Sequence, residues 1–196
     1  HSTSTSDYTI TRGNNVWAQE DRNNNNGIGT PATSTTTTDP LSFDFTPNFT
    51  AAPTQTSPSP NQQFNTTNLF YWNNVIHDIM YQYGFDEVSG NFQASNLNRG
   101  GQENDYVLAD AQDGGGTNNA NFSTPADGGS GRMQMYLWTG SPQKDGDVDN
   151  GIICHESAHG SSNRLTGGPS QAGCLQNDES MGEGWSDYYG LMLTQN

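Results

Sequence analysis

Apolar side chains recur at three- and four-residue spacing in the middle of the chain, which is the pattern of a helix with one buried face. The pattern predicts a helix that is capped by Asn68 and extends to about Tyr83, where Gly84 ends it. The apolar stripe consists of Leu69, Trp72, Ile76, Ile79 and Tyr83. Alternating apolar and polar positions at 105–110 and 133–138 predict strands. Helices and strands in separate stretches of this kind indicate an α+β fold.

The first 65 residues differ from the rest, because short alternating pieces are separated by Asn, Gly and Thr. The pieces at 7–11 and 15–18 predict short strands, and 23–27 is turn material. We therefore divide the chain into an irregular, β-rich N-terminal part, residues 1–65, and a core of residues 66–196. The candidate chemistry lies in the core.

The segment 149–160 contains the sequence His-Glu-x-x-His. On a helix this spacing places His155 and His159 on one face, about 6 Å apart along the axis, so both rings can reach one metal ion. Glu156 can face water at that metal without being a ligand, as in zinc peptidases. The alternative is a surface helix with two solvated histidines, and a further carboxylate downstream argues against it.

A third ligand is expected downstream, because catalytic zinc uses three protein ligands and keeps one position open for water. Glu179 and Glu183 both have a suitable side chain. Glu183 is favoured because Asp187 follows it at helical spacing and therefore lies on the same face. Asp187 is then suited to accept the outer N–H of His155 and to fix the tautomer of that ring.

The composition of the chain limits which binding partners and which cellular compartment are expected. The 196 residues include 21 acidic and six basic side chains, with a formal net charge of -15, which argues against nucleic acid or an anionic membrane as partner. No apolar run reaches the length of a membrane span. These features suit a secreted protein. In that compartment Cys154 and Cys174 could form a disulfide, which would tether the loop after the predicted helix of the His-Glu-x-x-His segment (the metal helix). The alternative is two unrelated thiols.

The acidic segment 145–151 allows a second metal interpretation, because its oxygen-bearing side chains at alternate positions resemble the beginning of a calcium loop. However, Asn150 stands where such a loop requires glycine, and Glu156 would have to leave the metal helix to complete it. We therefore predict that Asp147 or Asp149 caps that helix, where a carboxylate also suits the helix dipole. Local binding of Ca²⁺ by these aspartates is the alternative.

Three further features have open interpretations. The segment 117–122 is either an exposed edge strand that could pair with an extended peptide or a loop tip, and its residues alone favour the loop. His77 has no second ligand at four-residue spacing, so we predict a structural role for it. Asn48, Asn65 and Asn121 stand in Asn-x-Ser/Thr glycosylation contexts that the sequence does not distinguish.

Several of these segments together resemble the fungalysin family of secreted metallopeptidases, which are relatives of thermolysin in the glutamate-zincin group. The resemblance is carried by His-Glu-x-x-His-Gly, by Ser-Asn-Arg-Leu-Thr-Gly-Gly-Pro at 162–169 and by Met-Gly-Glu-Gly-Trp-Ser-Asp at 181–187. It also includes Asn-Leu-Phe-Tyr-Trp-Asn-Asn at 68–74 and parts of 118–133. It therefore covers most of the core.

The resemblance implies a zincin-type N-terminal lobe, in which a sheet with an edge strand packs on the active-site helix and the start of a helical lobe follows. The implied zinc ligands are His155, His159 and Glu183. Glu156 would be the catalytic carboxylate, and Asp187 would orient His155. Asn119 and Ala120 become the substrate-binding edge strand instead of a loop.

Family members continue into a mainly helical lobe that supplies a His or Tyr to stabilise the oxyanion. In this chain His1 and His77 stand outside any matching motif. We therefore expect the chain to be one piece of a larger or nicked enzyme, whose C-terminal lobe or propeptide belongs to the same precursor.

The implied function is hydrolysis of peptide bonds in polypeptide substrates by zinc-activated water, with Glu156 as general base. A calcium-stabilised extracellular binding module with a vestigial zinc site is the competing hypothesis. A zinc hydrolase that acts on other substrates is a third.

Overall fold

The computed structural model describes residues 8–53, 61–176 and 181–195. Within these ranges the elements are β1 (Val16–Glu20), α1 (Gln62–Gln82), β2 (Val107–Thr117), β3 (Ala120–Ser123), β4 (Arg132–Trp138), β5 (Lys144–Asp145), α2 (Asn150–Gly167) and α3 (Gly182–Thr194). A short 3-10 helix, Gly146–Val148, precedes α2. This confirms the α+β class. None of the helices described here is long and apolar enough to cross a membrane.

The strands form one mixed sheet in the spatial order β1-β2-β4-β3, with β5 attached to β4. Strands β1, β2 and β4 are parallel, whereas β3 and β5 are antiparallel to β4. In the described chain β3 pairs with β4 alone and is therefore an edge strand. The edge-strand interpretation of 117–122 is thus confirmed from Ala120 onward, and Asn118, with a φ of 58°, turns the chain from β2 into β3.

The hydrophobic core lies between the sheet and the helices. Side chains alternate between the two faces of a strand, so every second residue of β2 and β4 can reach the core. Buried members of this cluster are Leu69, Ile76, Met80, Val107, Ala109, Ala111, Met133, Met135, Ile153 and Cys154. Because Ile153 and Cys154 lie in α2, one face of that helix is held against the sheet.

Helix α1 begins at Gln62 and not after Asn68, which corrects the predicted start. The buried residues of its first turns are polar, so the apolar stripe does not extend to them. Asn65 is fully buried and its Nδ2 donates to Asp145 Oδ2 at 2.5 Å, while Asn68 Nδ2 donates to Asp147 O at 2.7 Å. Tertiary hydrogen bonds therefore stabilise these turns. The helix ends before Gly84, as predicted.

Three of the other predicted strands are present in the structure, although their bounds differ from the prediction. The strand expected at 105–110 is β2, Val107–Thr117, and the strand expected at 133–138 is β4, which begins one residue earlier. The strand predicted at 15–18 is β1, and it pairs along its length with β2, so the N-terminal part contributes to the same sheet. Ile10 forms only an isolated bridge with Thr33. His1 and Glu179 lie outside the described residues.

Candidate metal centre

Helix α2 carries the His-Glu-x-x-His segment, and Asp149 determines where it begins. The Asp149 carboxylate accepts hydrogen bonds from Gly151 N at 3.1 Å and Ile152 N at 3.3 Å. These backbone N–H groups have no acceptor inside the helix. Of the two predicted caps, Asp149 is therefore the residue that caps α2, whereas Asp147 lies in the preceding 3-10 helix.

Two imidazole rings and one carboxylate meet where α2 faces α3. Nε2 of His155 lies 3.1 Å from Nε2 of His159 and 3.1 Å from Oε2 of Glu183. Nε2 of His159 lies 3.4 Å from the same oxygen. In a tetrahedral zinc site with ligand bonds of about 2.0–2.1 Å, neighbouring ligand atoms are about 3.3 Å apart. The three atoms therefore have the spacing and the donor types that fit one zinc ion with a fourth position open.

Asp187 contacts the other side of the His155 ring. Its Oδ1 lies 2.9 Å from Nδ1 of His155, and it stands one helical turn after Glu183 on α3. In the tautomer with its proton on Nδ1, His155 donates to this carboxylate, and the lone pair of Nε2 is directed toward His159 and Glu183. The structure therefore brings the predicted orienting residue to the ring that it was predicted to orient.

Glu156 is buried beside these residues, with 5% of its surface exposed. Its Oε2 has no hydrogen-bond partner among the described residues. Burial raises the pKa of the carboxyl to about 7, the charge of Glu183 adds to this, and His155 acts in the opposite direction. A carboxylate with a free oxygen and a pKa near neutrality is suited to accept and return a proton.

A cleft of about 560 Å³ lies beside the candidate metal centre. His155 and Glu156 line it from α2, Ala120 lines it from the first residue of β3, and Asn119 lines it from the position before that strand. One edge of β3 is paired with β4, and the described chain provides no strand for its other edge. The predicted substrate-binding pair therefore borders the same cleft as the predicted catalytic carboxylate.

The predicted disulfide is not formed, because Cys154 and Cys174 are both free thiols in the structure. Cys154 is buried in the first turns of α2, whereas Cys174 is exposed beside Gly167 at the end of the same helix. Gly167 lies 13 positions after Cys154, which corresponds to about 20 Å along the helix. A disulfide requires Cα atoms within about 7 Å. The prediction of this disulfide, which was based on the oxidising compartment of a secreted protein, was therefore wrong.

The aspartates of the candidate calcium loop accept hydrogen bonds from the protein itself. Asp145 Oδ1 accepts from Asp147 N at 3.1 Å, and Asp147 Oδ2 accepts from Gln112 N at 3.0 Å. Burial, followed by the charge of Asp145, raises the pKa of Asp147 well above its usual value. Binding of Ca²⁺ by these aspartates stays the alternative interpretation of the segment.

The sequence analysis missed a second group of carboxylates on the sheet. Oxygens of Asp21, Asp110 and Asp113 lie within 4.8 Å of one another, and all three residues are buried. Arg132 forms an ion pair with Asp110, and Gln134 Nε2 donates to Asp113 at 2.9 Å. Asp110 and Asp113 come from β2, and Asp21 comes from a segment far away in the sequence, so no local motif marks the group.

Arg164, in the last turn of α2, was also missed as a structural residue. Its side chain is fully buried, and Nη1 lies 2.7 Å from Oδ2 of the equally buried Asp105. The guanidinium stacks on Phe92 at 3.9 Å from the ring centroid. It also donates to backbone carbonyls of Gly90, Pro125, Ala126 and Gly129. This arginine therefore holds two loops against the metal helix.

His77 has the surroundings expected of a structural histidine. Its Nδ1 lies 3.2 Å from Asp78 Oδ1, and its Nε2 lies 3.3 Å from Asn91 Nδ2. Burial lowers the pKa of the ring. Within the ranges described, His77 is in neither group of side chains that could hold a metal.

A helix with His-Glu-x-x-His, a glutamate from the next helix and an adjoining edge strand define the metallopeptidase class. Sequence comparison identifies the branch of this class, since the fungalysin metallopeptidase profile matches residues 1–196. The chain belongs to the fungalysin metallopeptidase family.

Relatives in this family are fungal proteins named as extracellular enzymes. Extracellular metalloproteinase 3 of Trichophyton tonsurans is 48% identical over 196 residues, which are 98% of this chain and 30% of the relative. Extracellular metalloproteinase MEP of Pyricularia oryzae is 47% identical over 188 residues, 94% of this chain and 29% of the relative. The chain therefore spans about 30% of the length of these relatives.

Proposed function

We propose that this chain is the metal-binding part of a secreted zinc endopeptidase that hydrolyses peptide bonds in polypeptides. The observation that carries the proposal is the convergence of His155, His159 and Glu183, whose ligand atoms are 3.1 to 3.4 Å apart. The names of the extracellular metalloproteinase relatives support both the activity and the secretion.

His155, His159 and Glu183 would hold the zinc ion. Bound zinc supplies a Lewis acid that polarises the substrate carbonyl and makes water more acidic. Asp187 would accept the Nδ1 proton of His155 in a hydrogen bond, so that the lone pair of Nε2 faces the other two ligands. These four residues come from two helices, and the packing of α2 on α3 sets their distances.

Glu156 is the general base in this proposal. Its free Oε2 accepts a proton from the water that attacks the substrate carbonyl carbon. As the C–N bond breaks, the same oxygen gives the proton to the leaving amine. Burial raises the pKa of the Glu156 carboxyl to about 7, and a raised pKa favours return of the proton to the leaving amine.

The substrate would bind as an extra strand along the free edge of β3. An extended peptide can pair with the backbone N–H and C=O groups of such an edge. Asn119 and Ala120 line the cleft at the start of this strand, and His155 and Glu156 line its other side. Pairing therefore places a peptide bond next to Glu156 and the metal ligands.

The remainder of the precursor would complete the cleft. The outer face of α3 exposes apolar side chains: Trp185 at 37%, Tyr188 at 59%, Leu191 at 61% and Met192 at 56%. A continuous apolar face of this kind marks a contact surface. We propose that a C-terminal lobe or the propeptide of the same precursor covers it, and that the lobe supplies the group that stabilises the oxyanion.

The proposal is tested on the full-length protein by comparing Glu156→Gln with His155→Ala. Glu156→Gln should retain one zinc ion per chain and lose about 100- to 10,000-fold in kcat/KM on a peptide substrate, because the general base is removed. His155→Ala should lose the zinc ion, as measured by elemental analysis. The same analysis tests the alternative that Asp145, Asp147 and Asp149 bind a calcium ion.

Glu179→Gln is the matched control, because Glu179 was the other candidate for the third ligand. It should retain both zinc and activity. Near-normal turnover of Glu156→Gln would refute the assignment of the base. Calcium without zinc in the wild-type protein would instead favour the binding-module hypothesis.

A further inference from the structure

Three asparagines share the Asn-x-Ser/Thr pattern, and the structure places them in very different surroundings. Asn48 lies in an exposed turn before α1, Asn65 lies inside α1, and Asn121 lies in β3. An attached oligosaccharide is bulky and hydrated, so it requires an outward-facing amide. The three surroundings therefore predict different modification states.

The Asn48 turn holds the backbone in place and leaves the side-chain amide outside. The buried side chain of Asn61 accepts from Asn48 N at 2.7 Å and donates to Asn48 O at 3.0 Å. Oδ1 of Asn48 accepts from both the backbone N (3.1 Å) and the hydroxyl (2.7 Å) of Thr50. In the described part of the chain, Nδ2 of Asn48 makes no hydrogen bond that a modification would break.

The neighbouring Phe49 gives this turn a surface that a glycan would cover. Phe49 is 61% exposed, although its ring contacts Phe64 edge to face at a centroid distance of 5.8 Å. An oligosaccharide on Asn48 would shield Phe49 from other molecules.

Asn65 has no room for a glycan in the folded protein. The residue is 0% exposed, and its Nδ2 donates to Asp145 Oδ2. Attachment of a sugar at this nitrogen would replace the hydrogen bond with a polar group larger than the space between α1 and the 3-10 helix. A chain modified at Asn65 could not form this core.

Asn121 is partly buried, and its Nδ2 donates a hydrogen bond to the hydroxyl of Tyr136 on the neighbouring strand at 2.5 Å. A glycan there would displace this cross-strand contact. It would also stand on β3 next to Ala120, which lines the cleft. The fold therefore disfavours this position as well.

We propose that Asn48 is the N-glycosylation site of this chain and that Asn65 and Asn121 remain unmodified. The proposal rests on secretion, which is part of the proposed function. The donor is an oligosaccharide carried on a lipid pyrophosphate. Nδ2 of Asn48 forms a bond to C1 of the first sugar as the C1–O bond to the pyrophosphate breaks, and the proton lost by Nδ2 balances the charge of the released lipid pyrophosphate.

The test expresses the full-length protein in a eukaryotic host, with the leader of a host protein directing it through the secretory pathway. The purified protein is treated with peptide N-glycosidase in H₂¹⁸O, which converts each glycosylated asparagine into labelled aspartate. Mass spectrometry of the peptides then shows which of the three asparagines carried a glycan. We expect label at position 48 and none at 65 or 121.

Thr50→Ala and Thr50→Ser are the paired variants, because only the first destroys the attachment pattern and both leave Asn48 in place. Thr50→Ala should be secreted without the glycan, and Thr50→Ser should keep it. An unlabelled Asn48 in the secreted protein, or label at Asn65 or Asn121, would overturn the proposal. Zinc content and peptidase activity of the same preparation report separately on the proposed function, because no residue of the Asn48 turn lines the cleft.

Discussion

Asp187 and Glu183, one turn apart on α3, contact opposite nitrogens of the same His155 ring. Oδ1 of Asp187 lies 2.9 Å from Nδ1, and Oε2 of Glu183 lies 3.1 Å from Nε2. One carboxylate is therefore placed to accept a proton from the ring, and the other is placed to share a metal with it. This division of roles makes the effect of each residue separately measurable.

Asp187→Asn should weaken zinc binding without abolishing it. The amide accepts a weaker hydrogen bond from His155 Nδ1, and loss of such a partner typically costs 10- to 100-fold in metal affinity. Competition with a chelator of known affinity measures the change. Asp44→Asn, which removes an equal charge from an exposed loop position, should leave zinc affinity unchanged. Equal affinities for wild-type protein and Asp187→Asn would show that Asp187 does not orient the ring.

Arg164→Met should destabilise the protein by about 3–5 kcal/mol, because it leaves the buried Asp105 carboxylate without its partner. The free energy of unfolding from denaturant titration of the full-length protein checks this value. The double variant Arg164→Met/Asp105→Asn should recover part of the loss, since the unpaired charge is removed. If the double variant loses as much as the sum of the two single variants, the ion pair is not the cause.

Asp110 should make stability depend on pH. Burial raises the pKa of its carboxyl to about 6, although Gln19 and Arg132 act in the opposite direction. Because the folded protein binds this proton more tightly than the unfolded chain, its contribution is fully present below about pH 4 and is lost as pH rises through about 6. The expected loss is up to about 3 kcal/mol for a shift of about two units.

The contribution of Asp110 is isolated by measuring the free energy of unfolding of wild-type protein and Asp110→Asn from pH 4 to 7. The difference between the two proteins should change across this interval, because asparagine does not titrate. Asp44→Asn serves as the comparison. A constant difference for Asp110→Asn would show that the Asp110 pKa is not raised.

Asp149→Ala should lower the free energy of unfolding by about 0.5–2 kcal/mol, because two backbone N–H groups at the start of α2 lose their acceptor. Asp149→Ser should lose less, since its hydroxyl also caps. Denaturant titration of the wild-type protein and the two variants gives the order of their free energies of unfolding. If the alanine and serine variants lower the free energy of unfolding by the same amount, the carboxylate does not cap α2 in solution.

How much could be predicted from sequence depended on how local the physical cause was. The positions of His155 and His159 relative to each other follow from helical spacing, and Asp149 is a capping residue next to the helix that it caps. Glu183 was chosen over Glu179 because of its spacing to Asp187, and the structure places both favoured carboxylates against His155. Their role as ligand and orienting residue stays a prediction.

Errors arose where distant segments decide the outcome. The first turns of α1 carry buried polar residues, so their helical form depends on hydrogen bonds such as that of Asn65 with Asp145. The residues of 117–122 favoured a loop, yet pairing with β4 makes Ala120–Ser123 a strand. The disulfide between Cys154 and Cys174 was inferred from the compartment, and the length of α2 prevents it.

The amino-acid sequence by itself determined the chemistry that one helix can present, because residues four apart on a helix share a face in any surroundings. Only the tertiary structure decided which distant groups meet that face. Packing of α3 on α2 brings Glu183 to the two imidazoles, and burial of Arg164 with Asp105 ties the loops to the same helix. Such contacts depend on the free energy of the whole packed core, and no short stretch of the chain carries that information.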